Sequence, residues 1–148
     1  MVWKPNVTVA AVIEKQGKFL LVEEHTEDGM RYNQPAGHWE PGETLVQGAR
    51  REALEETAYE FVPDWLLGVY SWRPPRKEIT YLRFAFAGHV AGHDPSRRLD
   101  EGIIRAVWLT PDEIRATAEL HRSPLVLRCV EDYLAGRRLP LSAITHFP

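Results

Sequence analysis

Apolar residues come in short blocks of strand length through most of the chain. Asn6 to Glu14 (NVTVAAVIE) and Lys18 to Glu24 (KFLLVEE) are two such blocks, and Lys15-Gln16-Gly17 between them has turn chemistry, so the pattern predicts an antiparallel hairpin. After a polar loop at His25 to Gly29, the stretch Arg31 to Trp39 is predicted to be extended, because Pro35 and the region around Gly37 oppose helix. It ends in the loop Glu40-Pro41-Gly42-Glu43. Thr44 is then a suitable N-cap for a helix through Thr57, since LVQGARREALEET holds no proline and several good helix formers. Strand patterns return at Leu66 to Trp72, Ile79 to Val90 and Ile103 to Leu109, with the proline loop Arg73-Pro74-Pro75-Arg76 between the first two. Thr110-Pro111-Asp112-Glu113 and Ser123-Pro124 each start a helix, the last one stopping near Ala135-Gly136, where glycine can take a left-handed cap.

Strands and helices do not alternate strictly, so nothing demands an all-parallel sheet. The expected fold is α/β of the α+β type, with a mixed β-sheet between helices. Its length of 148 residues fits a single domain, residues 1–148, with a real hydrophobic core. Apolar runs such as VTVAAVI are far shorter than the ~20 residues of a membrane-spanning helix, and MVWKPNVTV lacks the parts of a signal peptide. A cytoplasmic protein without a membrane contact is the expectation. The formal charge of −3 supplies no basic stripe for a nucleic-acid polymer. The single cysteine, Cys129, lies among Leu125, Val126, Val130 and Tyr133 at helical spacing and reads as a buried core thiol.

One helix face changes the picture. Glu52, Glu55 and Glu56 stand at i, i+3 and i+4, within about a 100° arc at 100° per residue. Like charges so spaced weaken an isolated helix by about 0.2 to 0.5 kcal/mol per pair, which suggests that something cationic meets that face. Magnesium, a hard ion that takes carboxylate, water and phosphate oxygens, suits it, with manganese as a substitute. A solvated face neutralised by Arg50 and Arg51 is the plainer alternative.

The surrounding residues decide between these. GHWEPGETLVQGARREALEETAY, from Gly37, resembles the Nudix box, G-x5-E-x7-R-E-U-x-E-E-x-G-U with U a bulky aliphatic residue. Gly37, Glu43, Arg51, Glu52, Glu55 and Glu56 fall in register, and six such matches arise by chance on the order of once in 10⁷ positions. Ala53 is small for the first U position, Ala58 replaces the last glycine, and Tyr59 replaces the final aliphatic. A glycine at position 58 would permit positive φ at the helix exit.

The resemblance implies a Nudix-like α/β/α sandwich and metal-assisted hydrolysis of a phosphoanhydride in a small molecule. It implies metal ligation by Glu52, Glu55 and Glu56, with the Gly37 carbonyl, and a salt bridge between Glu43 and Arg51 that orients loop and helix. Glu55 or Glu56 would be the general base. Glu40 would add an outer contact to the metal or fold the loop. The family often recruits one more acid from outside the box, and of Asp100-Glu101 the second, Glu101, is favoured here.

Beyond the box, KPNVTVAAVIEKQGKFLLVEE, YNQPAGHWEPGETL, YLRFAFA, RSPLV and GRRLPL resemble one subgroup of the family, the NudJ-like phosphatases. That likeness implies release of orthophosphate from nucleoside triphosphates and diphosphates, or from the pyrimidine pyrophosphate of thiamine synthesis. Two other readings stay open: cleavage of dinucleotides or nucleotide sugars, and a silent ligand-sensing domain. Monomer and homodimer also stay open.

Substrate contacts are argued residue by residue. Arg83 is a charge in a strand of Leu, Phe and Ala, so it holds a substrate phosphate or makes a salt bridge across the sheet. Trp39, Tyr70 and Trp72 would stack on a heterocycle or fill the core. Asn33 and Gln34 would read polar groups of the substrate. His38 has no clustered histidines and receives no metal role.

Overall fold

The computed structural model describes residues 1–148. The predicted hairpin forms from β1 (Asn6–Lys15) and β2 (Lys18–Thr26), but the two strands pair only beside the turn, at Glu14 with Phe19 and Lys15 with Lys18. They then diverge and each founds its own half of the sheet. Parallel β6 (Tyr81–His93) and the short antiparallel β4 (Ala36–His38) flank β1, and β5 (Tyr59–Trp72) lies beyond β6. Antiparallel β3 (Gly29–Asn33) and β7 (Ile103–Leu109) flank β2. The sheet is mixed, as the order of elements implied.

Both faces of β1 are covered, which explains its unbroken apolar run. Val9, Ala11 and Ile13 pack with Ala49 and Ala53 of the helix α1 (Leu45–Thr57). Ala10 and Val12 face Val126, Cys129 and Val130 of α3 (Leu125–Leu134) and Ile114 of α2 (Pro111–Ala116). Helices thus cover opposite faces, in the α/β/α arrangement the sequence implied. No helix is long and apolar enough to cross a membrane.

Three local differences from the sequence reading have physical causes. The stretch Arg31 to Trp39 is two strands rather than one, and at Gln34-Pro35 the chain leaves β2 and crosses to β1. β5 starts at Tyr59, not Leu66: Pro63 is accommodated by register shifts around Pro63 and Trp65. Opposite it stands Gly88, where an added Cβ would strike the Val62 carbonyl oxygen, so the close approach needs glycine. The helix begun at Pro111 is short and gives way to a 3-10 turn at Ala118–Leu120.

Candidate active site

The acidic face is built from the N-terminus of α1. Thr44 caps the helix reciprocally: its hydroxyl accepts from the Gln47 N–H at 3.0 Å, and the Gln47 side chain accepts from the Thr44 N–H at 2.8 Å. Just upstream, Glu43 accepts the Glu40 N–H at 2.9 Å, which closes the loop, and receives two bonds from Arg51 at 2.8 and 2.9 Å. That paired contact holds the Glu43 carboxyl below its usual range, chiefly through the Arg51 hydrogen bonds. Arg51 also donates to the His38 carbonyl at 3.0 Å, so one guanidinium ties β4, the loop and α1 together. The Glu40 carboxylate lies 3.7 Å from Arg51.

From the same side chain, Nη1 donates to one oxygen of Glu52 at 2.7 Å and to one of Glu55 at 2.8 Å. The second oxygen of each carboxylate remains for another partner. Glu52, Glu55 and Asp100 bring carboxylate oxygens within 4.8 Å of one another. Burial raises the Glu52 and Asp100 carboxyls above their ordinary values, and the Glu55 charge adds to both shifts. Glu56 is more deeply set. One of its oxygens accepts the Ala36 N–H at 2.9 Å, and desolvation, reinforced by the charges of Glu52, Glu24 and Asp100, pushes its carboxyl up to about 9.

Gly37 lies over Glu52, where a Cβ would overlap the carboxylate. The absence of a side chain on β4 therefore opens the face to a backbone approach. An all-oxygen donor set of crowded carboxylates fits a hard divalent cation, and the Arg51 guanidinium already neutralises part of its charge.

Sequence reasoning named Glu101 as the outside acid. Both Asp100 and Glu101 are exposed, and it is Asp100 whose carboxylate oxygen comes close to those of Glu52 and Glu55. The Asp100 N–H donates to the Glu55 carbonyl at 2.9 Å, which sets its carboxylate beside the helix. No periodicity distinguishes two adjacent acids in a loop, so one sequence carries no signal for the choice.

Beside this face, between the two halves of the sheet, opens a cleft of about 730 Å³. Gly37, Asn33, Arg83 and Trp72 line it, together with Tyr81 and Arg122, which the sequence did not single out. Arg83 is 5% exposed and makes no salt bridge across the sheet; its bonds go to Gln34, Asn33 and Cys129. Trp72 stacks on Tyr81 with ring centroids 6.1 Å apart. Trp39 does not line the cleft, and its indole N–H instead donates to the Glu43 carbonyl at 2.8 Å, fastening the loop. Gln34 is buried beneath the cleft and Tyr70 donates to Asp132 in the core, so neither lines it.

The model of the NUDIX domain matches residues 2–129, so the chain belongs to the family of Nudix hydrolases. Within the family, it is similar to Phosphatase NudJ of Escherichia coli (strain K12), with 41% identity over 145 residues, 98% of this chain and 94% of the relative. Phosphatase NudJ of Shigella flexneri gives the same figures. Among solved structures, a NUDIX hydrolase from Nitrosomonas europaea superposes with a TM-score of 0.95 at 53% identity, covering 97% of this chain and 98% of that one. A UDP-X diphosphatase, at 21% identity and a TM-score of 0.75 over 93% of this chain and 66% of its own, shares the fold.

Proposed function

We propose that the protein is a magnesium-dependent phosphatase of small organic phosphoanhydrides, acting on nucleoside diphosphates and triphosphates or on the pyrimidine pyrophosphate of thiamine synthesis, and releasing orthophosphate. The observation that carries the reading is the meeting of Glu52, Glu55 and Asp100 oxygens within 4.8 Å under the bare backbone of Gly37. Release of a terminal phosphate rests on the likeness to Phosphatase NudJ across nearly the whole chain.

Hydrolysis of a phosphoanhydride calls for charge neutralisation, an aligned water and an in-line leaving group. Glu52, Glu55, Glu56 and the Gly37 carbonyl would hold a divalent cation, with Asp100 beside them, and the cation would supply charge neutralisation and acidify a bound water. The chain's own residues do the rest. Arg51 fixes the rotamers of Glu52 and Glu55 through the single nitrogen Nη1, bonded to one oxygen of each, so the carboxylates stay aimed while their second oxygens remain open. Glu55, whose side chain keeps 29% exposure against 11% for Glu52, is the more accessible acceptor for the water's proton. Glu56, anchored to the Ala36 N–H, locks the helix to the strand that carries Gly37.

The test is a phosphate-release screen over nucleotides, thiamine intermediates and nucleotide sugars, with magnesium, with manganese and with chelator. Metal-dependent orthophosphate from a terminal bond supports the proposal. Two organic phosphates from an internal bond would replace it with pyrophosphohydrolysis, and silence across the panel would replace it with ligand sensing.

A further inference from the structure

Arg83 is the one buried cation in the cleft without an acidic partner. Its guanidinium has five N–H donors, and three are used: on Gln34 Oε1 at 2.8 Å, on Asn33 Oδ1 at 3.0 Å and on Cys129 Sγ at 3.9 Å. All three acceptors are neutral, so they hold the group in place without cancelling its charge. Gln34 is itself fixed, because its amide donates to the Val126 carbonyl at 2.8 Å. A full charge with 5% exposure is costly to keep this way, and a hydrophobic residue would serve packing alone better. The arrangement is a preformed, uncompensated positive site opening on the cleft floor.

Sheet register places it. His38 of β4 pairs with Thr8, and Thr8 pairs with Arg83 of β6. At ~4.8 Å per strand, the Arg83 backbone lies about 10 Å from the His38 backbone, one residue from Gly37. Tyr81, two residues before Arg83 and about 7 Å along the same face, stacks with Trp72 to make an aromatic wall. Along the cleft the order is therefore the Gly37-His38 backbone, cation, rings.

We propose that Arg83, with Asn33, forms a subsite for the phosphoryl group that stays on the organic half of the substrate, while the adjoining ring lies against Trp72 and Tyr81. The subsite selects phosphate esters of planar ring compounds and retains the ester product after the terminal phosphate leaves. It rests on the phosphatase reading for the direction of the substrate, but its test needs no hydrolysis.

Metal-free full-length protein is titrated calorimetrically with inorganic phosphate and with phenyl phosphate. Wild type should bind both saturably, phenyl phosphate more tightly. Arg83→Lys keeps a charge but loses the fork and should weaken both by ~10-fold or more. Arg83→Met should lose binding while remaining folded, at a Tm lowered because the buried Gln34 Oε1 loses its donor. If that variant does not fold, Arg83→Lys decides. Wild-type affinity in either folded variant, or no saturable binding by wild type, overturns the subsite. Glu52→Gln separates the two ideas: with hydrolysis lost and phosphate binding kept, both stand, and with hydrolysis kept the reading of the acidic face falls while the subsite is judged on Arg83.

Discussion

Glu56→Gln should make the metal-free protein more stable and the enzyme slower. Burial pushes the Glu56 carboxyl up to about 9 from an ordinary 4.5. Between those values the folded chain keeps a proton that the unfolded chain has lost. A raised carboxyl therefore stabilises most below pH 4.5, and its contribution is lost as pH climbs toward 9. At 1.36 kcal/mol per pH unit, wild type at pH 7.5 has given up at most about 4 kcal/mol relative to pH 4.5 through this group. Glutamine keeps an oxygen for the Ala36 N–H, which Glu56 now accepts at 2.9 Å, and does not titrate. With chelator at pH 7.5, the variant should gain up to ~4 kcal/mol in urea unfolding, a Tm rise of roughly 8 to 16 °C at the ceiling for a chain of this size. The gain should shrink steadily toward pH 5. Added magnesium should stabilise wild type, by binding only the folded state, and stabilise the variant less. Turnover should fall by ~10² or more. Equal urea midpoints for the two proteins at pH 7.5 and pH 5, or near-normal turnover with magnesium, would refute the account of Glu56 as a buried ligand held at the expense of stability.

Ala58→Gly should stabilise by about 0.5 to 1 kcal/mol, because relief of a left-handed alanine exceeds the loss of one buried methyl; urea unfolding with unchanged activity checks it. Asp100→Asn should weaken magnesium dependence of turnover by ~10-fold, whereas Glu101→Gln should stay close to wild type in the same titration. Arg51→Ala strands the Glu43 carboxylate and frees both Glu52 and Glu55; a loss of about 2 kcal/mol and a fall in kcat are expected, by chemical denaturation and phosphate release. Gly37→Ala places a methyl on the Glu52 carboxylate, and should abolish magnesium-induced stabilisation in a thermal shift assay.

Much of this was legible along the chain because it depends on local rules. The capping residue Thr44, the helix through Thr57, the stop near Gly136 and the apolar runs of β1 and β2 all follow from propensity and period. The acidic face was legible for the same reason, since i, i+3 and i+4 must share one side of a helix. What escaped depends on long-range pairing. The hairpin's divergence, the change of sheet at Gln34-Pro35 and the tolerance of Pro63 are decided by partners far away in sequence. Asp100 is set beside the helix by a backbone bond to Glu55, which no local pattern encodes.

The three departures from the box show why its chemistry survives them. Ala53, small where a bulky aliphatic is usual, is fully buried against the sheet, so its size belongs to packing on the face away from the carboxylates. Ala58 adopts the left-handed conformation itself, with φ of 62°, and its N–H still reaches the Leu54 carbonyl at 2.9 Å. The exit geometry is kept and only its energy changes. Tyr59 stacks on His93 at 4.0 Å and accepts the Trp108 indole N–H at 3.1 Å, replacing an aliphatic contact with aromatic ones. Each change falls on a surface that positions the helix, none on the surface that holds charge. The box is thus two interleaved stripes on one helix, and substitutions in the packing stripe alter stability while Glu52, Glu55 and Glu56 keep their aim.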